Sequence, residues 1–237
     1  MISVDQKLEK LSLLKPLTKT EVRRLAKKAK LEHVWSSNAL EENSLTLEET
    51  SSIINDGITV GKSVKETLEA INLSQAYDYM LLLAENKQEL TETVIKKLNR
   101  VVMFNTAQTH ELAGTCRKGK AWSKGYEDQP YVNPIAIADK IKQLINWSKE
   151  NKKHLHPVIY AADLHQKFVT IHPFTDGNGR TARLLMNLVL IQANYPVINI
   201  NPTARQEYMT ALAESRENGK VEIFEKFITE YVLDKLS

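Results

Sequence analysis

Glycine and proline are scarce in this chain, at 8 and 7 of 237 residues; that glycine share is about half the usual 7%. So little backbone punctuation excludes a many-turned sandwich or barrel, a collagen-like rod and a flexible linker protein. One cysteine, Cys116, is present, so no internal disulfide can form and a reducing compartment is expected. Long apolar runs are missing too. The longest, 184–193, is interrupted by Asn187 and Gln192 and is too short to span a bilayer. The opening stretch MISVDQKLEK has no apolar signal-peptide centre. Nor does one sign of charge dominate: Lys+Arg 32 against Asp+Glu 29 leaves +3, too little by itself to imply nucleic acid. Together these absences predict a mostly helical, soluble, cytoplasmic protein, one large domain or a domain with a helical extension.

What is present is helix punctuation. Thr18 with Glu21, Thr46 with Glu49 and Ser63 with Glu66 have capping-box spacing. After the first, Val22, Leu25, Ala26 and Ala29 follow helical periodicity, opposite Arg23, Arg24, Lys27, Lys28 and Lys30. With Glu21 and Glu32 nearby and no interleaved aromatics, the basic side reads as the solvated face of an amphipathic helix rather than a nucleic-acid surface. Further helices are expected near 46–56, 64–85, 91–105, 135–150, 157–171, 180–193, 203–217 and 221–235. The run LLMNLVLI at 184–191 is apolar on nearly every side, which marks a central buried helix. Only 113–133 breaks the pattern. Its three glycines, Pro130 and the aromatics Trp122, Tyr126 and Tyr131 suit a short β-hairpin flap.

The segment His172 to Arg183, HPFTDGNGRTAR, gathers four kinds of chemistry. His172 is the candidate general base near neutral pH. Asp176 is a hard carboxylate suited to Mg²⁺. Gly177, Asn178 and Gly179 form a loop without bulk directly before a helix, where backbone amides and the helix dipole favour an anion. Arg180 and Arg183, three apart on one helical face, can converge on one phosphate chain. Taken singly, each feature has a bland explanation: a structural histidine, an Asp-Gly turn, a loop before a helix, two solvated arginines. The conjunction does not, because eight specified positions at about one in twenty each match by chance on the order of 10⁻⁸ over this length. No GxxxxGK[ST] or HExxH pattern occurs, so neither an ordinary P-loop nor a zinc hydrolase is expected.

This run resembles the signature HxFx(D/E)GNGRxxR of the Fic family, enzymes that transfer AMP from ATP to protein hydroxyls. His172, Phe174, Asp176, Gly177, Asn178, Gly179, Arg180 and Arg183 meet every specified position. The resemblance covers roughly 35–235. It implies an all-α fold, a Fic-type helical bundle with a short β-hairpin flap, divided into an N-terminal region 1–60 and a core 61–237. It also implies the roles. His172 would activate a Ser, Thr or Tyr hydroxyl of a target protein, or of the chain itself, docked along the flap. Asp176 would hold Mg²⁺ (or Mn²⁺), the 177–179 amides with the Asn178 side chain would cradle the α- and β-phosphates, and Arg180 and Arg183 would anchor the β- and γ-phosphates. Phe174 would pack beneath the loop. Relatives that phosphorylate instead carry lysine at the position of Gly179, so glycine favours AMP transfer. Family members often place tyrosine and asparagine seven apart in the helix after the core. Met209 and Arg216 align there, with Tyr208 one position off, and no base contact is assigned.

Upstream, SSNALEENSLT at 36–46 resembles the family's inhibitory segment (S/T)xxxE(G/N). Ser37 and Glu41 fit, whereas Glu42 stands where Gly or Asn is usual. The resemblance implies that Glu41 pairs with Arg183 and holds the enzyme inactive. Two rival expectations accompany it: an enzyme that also removes AMP with Glu41 positioning water, and an idle Fic scaffold whose basic first helix binds nucleic acid. The chain's end near 235, with no room for an appended winged-helix domain, counts against the last. Relatives often dimerise, so a homodimer is compatible.

Overall fold

The computed structural model describes residues 4–7, 9, 18–108, 110–122 and 130–236. Its longer helices are α1 (Lys19–Ala39), α2 (Leu47–Ser51), α3 (Val64–Glu85), α4 (Glu92–Val102), α5 (Ile137–Asn151), α6 (Pro157–Ile171), α7 (Asn178–Gln192), α8 (Arg205–Asn218) and α9 (Val221–Lys235). The three capping boxes form at the starts of α1, α2 and α3, each hydroxyl accepting the N3 amide while the N3 glutamate returns to the cap. Each box satisfies two amides that a helix start otherwise leaves unpaired. The helix expected over 46–56 is α2 followed by a π-turn, Ser52–Asp56, ended by Gly57 at φ 69°. Among the described residues no helix is long and apolar enough to cross a membrane.

α7 lies at the centre. Every residue from Arg180 to Leu190 is buried, because α6 covers one side and α3 the other, with α4 against its first turns. α8 and α9 pair with each other, and α9 lies along α6. A helix enclosed this way needs no polar face, which is why LLMNLVLI lacks one.

The apolar side of α1 is covered only from residue 29 onward, so Val22 and Leu25 remain 50% and 47% exposed. Residues 19–28 are all exposed, so periodicity there marks a face without marking burial. The flap expected over 113–133 falls partly on 123–129, which lie outside the described residues. On either side, the described residues show no hairpin ladder. They show one antiparallel bridge, Cys116 with Phe174, and the Tyr131 N–H donating to the Ala121 carbonyl at 2.8 Å.

Two buried histidines contribute to the fold's sensitivity to acid. His33 lies against Tyr77 with its Nδ1 3.2 Å from the Asn199 side-chain oxygen. His165 stacks on Phe224 while its Nε2 meets the Tyr208 hydroxyl at 3.0 Å. Burial pushes both down to about 3 from 6.5, helped by the charge of Arg183. Their folded values lie below the unfolded ones, so below 6.5 the unfolded chain binds protons that the fold refuses. Stability present above that pH is lost as pH falls toward 3. Two protons correspond to up to about 2.7 kcal/mol per pH unit. Thermal midpoints should therefore drop steeply below about pH 6, and His33→Gln should make the drop shallower. An unchanged midpoint down to about pH 4.5 would contradict neutral, buried imidazoles.

Candidate active site

α6 ends at Ile171, and His172 follows in the left-handed region at φ 49°, ψ 60°, its N–H donating to the Phe168 carbonyl at 3.1 Å. The loop closes by a two-bond clamp from the next helix. Asn178 Oδ1 accepts the Phe174 N–H at 3.0 Å and Asn178 Nδ2 donates to the Phe174 carbonyl at 2.8 Å. Phe174 is fully buried below. Gly177, at φ 76°, is required twice over: its backbone is left-handed, and a Cβ would meet Met103 Sδ at 2.7 Å and Asn99 Nδ2 at 2.9 Å. The Asn178 side chain, given to the phosphates in the sequence reading, is thus engaged by the loop itself.

Asn99 on α4 was not singled out from sequence. Its Nδ2 donates to the Asp176 carbonyl at 3.0 Å and to Thr181 Oγ1 at 3.3 Å, and its Oδ1 accepts the Gly114 N–H at 3.0 Å. One buried amide thereby fixes the loop, the start of α7 and the chain entering 113–133. The available signal was a polar residue one turn after Ile95 on the buried face of an amphipathic helix.

The two motif arginines have separate partners. Arg180 is buried between Glu69 at 3.2 Å and Asp176 at 3.3 Å, and Glu69 also accepts from Asn43 Nδ2 at 2.9 Å. Glu69 was likewise missed, being one acidic residue among several on α3. Asp176 is 52% exposed and accepts the Gly177 N–H. Arg183 turns the other way. Its Nε donates to Ser37 Oγ at 2.8 Å, and its Nη2 to the Ser37 carbonyl at 2.8 Å and to Glu41 Oε1 at 2.7 Å. Its Nη1 donates to the Tyr208 hydroxyl at 3.3 Å. Each guanidinium thus has its own carboxylate, Arg180 with Glu69 and Asp176 and Arg183 with Glu41.

Ser37, Glu41 and Arg183 are therefore brought together from opposite ends of the chain. Burial would raise the Glu41 carboxyl, but the positive charges of Arg183 and Arg180 hold it below the usual carboxylate range. The carboxylate lies directly over Gly179: a Cβ there would collide with Glu41 Oε1 and stand 3.1 Å from Arg183 Nη1. The next residue explains the sequence mismatch. Glu42 has φ 68°, the left-handed region that glycine and asparagine enter most easily. A glutamate here is strained, and Arg205 offsets this by donating to the Leu40 carbonyl at 2.9 Å and to Glu42 Oε1 at 3.2 Å.

His172 stacks on Tyr131, with ring centroids 3.9 Å apart and planes within 10°. Arg216 covers the Tyr131 ring at 4.8 Å. Burial pushes His172 down to about 4, Arg117 and Arg216 add to that, and Glu41 and the Val169 carbonyl oppose it. The imidazole is neutral at pH 7, the form a base requires. It borders a cleft of about 400 Å³ whose far wall includes Met209 and Arg216 of α8. Tyr208 does not face this cleft; it is buried under Arg183.

A histidine, a glycine-rich anion loop and two buried arginines at the junction of paired helices define a Fic domain, and residues 89–190 match the Fic/DOC family. Residues 89–190 belong to that family. It is 34% identical to "Protein adenylyltransferase Fic" of Drosophila virilis over 239 residues, covering 99% of this chain and 48% of that protein. Among solved structures, a Fic-domain-containing signaling protein from Bacteroides thetaiotaomicron matches with a TM-score of 0.90 at 28% identity, over 99% of this chain and 94% of the other. Fic-1 from C. elegans matches at 0.88 and 28%, over 99% and 68%. The chain spans about half the length of the curated relatives it matches.

Proposed function

We propose that this chain is a protein adenylyltransferase whose own Glu41 holds it inactive. In this reading, 1–60 supplies the inhibitory segment and 61–237 the catalytic core. The observation that carries it is the Glu41–Arg183 pair at 2.7 Å, set inside a complete His172–Arg183 motif. His172 takes the proton from a Ser, Thr or Tyr hydroxyl of a target protein, or of the chain itself. The oxygen attacks the α-phosphate of ATP, an oxygen–phosphorus bond forms, and the bond to pyrophosphate breaks. Because the Asn178 side chain is committed to Phe174, the loop's backbone N–H groups and the α7 N-terminus supply the phosphate cradle.

The donor set suits Mg²⁺: one exposed carboxylate, Asp176, with nucleotide phosphates to complete the shell. When bound, Mg²⁺ or Mn²⁺ would neutralise charge developing on the phosphates. Arg180, between Glu69 and Asp176, keeps the Asp176 carboxylate oriented. Arg183 is the phosphate anchor that Glu41 removes. The target segment docks along 113–133 by strand-like main-chain pairing in this reading.

The test is intact-mass and peptide mass spectrometry after incubation with ATP and Mg²⁺, with and without added lysate, for the wild type and Glu41→Gly. A gain equal to one AMP is expected, larger for the variant. A gain equal to one phosphate, or none for either form, would overturn the assignment. The ionised Glu41 carboxylate also favours a second reading, in which it orients water to remove AMP. Loss of AMP from a modified target with the wild type, absent with Glu41→Gly, would establish it.

A further inference from the structure

Arg117 is only 5% exposed, yet among the described residues no carboxylate pairs with it. Its Nε donates to the His172 carbonyl at 2.7 Å, its Nη1 to the Gly119 carbonyl at 2.7 Å and its Nη2 to the Val132 carbonyl. Its backbone N–H donates to the Pro173 carbonyl at 2.9 Å. A buried guanidinium without a counter-charge is costly, so three carbonyls aimed at it represent a built arrangement. A simple staple between chain segments would fit those bonds, but their placement is more particular.

His172 is a non-glycine residue held at φ 49°, a conformation that persists only where the surroundings over-determine it. The bond from Arg117 Nε falls on the carbonyl of that residue. The bond from Nη2 falls on Val132, whose neighbour Tyr131 stacks on the His172 ring. A single guanidinium therefore fixes the backbone of the imidazole and that of its stacking partner. The charged and titratable groups facing His172 are Arg117 and Tyr131 from 113–133, Glu41 from the turn after α1, and Arg216 from α8.

We propose that Arg117 is a positioning residue of the transfer reaction, holding His172 and Tyr131 in one register so that the imidazole keeps a single orientation at the cleft. The proposal rests on the adenylyltransferase reading. Arg117 also lies close enough for its charge to disfavour protonation of His172. Lysine can keep the charge but cannot reach three carbonyls in a planar fork.

The test uses the full chain with carbon-13-labelled histidine, following the His172 ring by NMR against pH, together with AMP incorporation measured in the Glu41→Gly background. Arg117→Gln should raise the His172 titration midpoint by about 1 pH unit. It should lower kcat about tenfold or more, with the KM for ATP within about twofold, since a small misplacement of a reacting group is costly. Arg117→Lys should restore the midpoint while kcat stays low. Unmoved midpoint and kcat in Arg117→Gln would overturn the proposal. If Arg117→Gln does not fold, Arg117→Lys decides alone, and full kcat in that variant would overturn it. Should the Glu41→Gly parent transfer no AMP at all, the adenylyltransferase reading fails, while the titration still decides whether Arg117 sets the state of His172.

Discussion

His172→Ala should lower AMP incorporation by about 10²–10⁴-fold, the range for removing a positioned general base, and leave ATP binding within about twofold. The side chain stands over the cleft and has no part in the anion loop, whose closure depends on Asn178 and Phe174. Burial, with the charges of Arg117 and Arg216, holds the ring neutral, its protonation pushed down to about 4. The free-enzyme profile, read from kcat/KM, should therefore stay level from neutrality down to about pH 5 and break only near 4. An exposed histidine would break near 6.5. Nucleotide phosphates favour the protonated imidazole, so the break in kcat should lie higher than that in kcat/KM. Full transfer by His172→Ala would remove the base assignment.

Glu41→Gly should raise AMP incorporation about tenfold or more. A charge-assisted hydrogen bond contributes about 1.5–3 kcal/mol when buried, and each 1.4 kcal/mol is a factor of about ten. The Glu41 side chain is 37% exposed, so solvent screening places the effect toward the lower end. Arg183 would remain in place without it, still held by Ser37 and Tyr208, with Nη2 partly freed for phosphate. Glycine also lacks the carboxylate that now lies over Gly179. Labelled-AMP incorporation by the two proteins at equal ATP is the measurement. Equal rates would mean that the contact exerts no restraint, and the inhibitory reading would be dropped.

Local rules carried the fold far, and their failures were physical. Capping boxes and the apolar run at 184–191 located α1, α2, α3 and α7 because both signals depend on neighbours in sequence. The exposed first half of α1 shows what periodicity leaves open, since it gives a direction and not what lies in that direction. For the site, the motif fixed which residues meet in the loop, since all lie within twelve positions. It could not show that Arg180 is claimed by Glu69, or that Arg117 spans His172 and Val132, because those bonds join residues far apart in the chain. Asn99 carries the same lesson: its three partners lie on three segments, and only packing brings them to one amide. Glu42 ran the other way. A departure from the family pattern became intelligible once its φ of 68° was known.

On the inhibitory reading, the space left by Gly179 for the Glu41 carboxylate makes that acid a tethered ligand. The acid occupies volume at the start of α7, where a phosphate would otherwise sit, and it is joined to that place by the end of α1. Its strength is then an effective concentration, of millimolar order for short flexible tethers and greater for a rigid one. Two controls on the enzyme become separable on this view. Changing the acid alters its affinity for Arg183, whereas loosening the C-terminal turn of α1 lowers its local concentration and also releases the Ser37 contacts to Arg183.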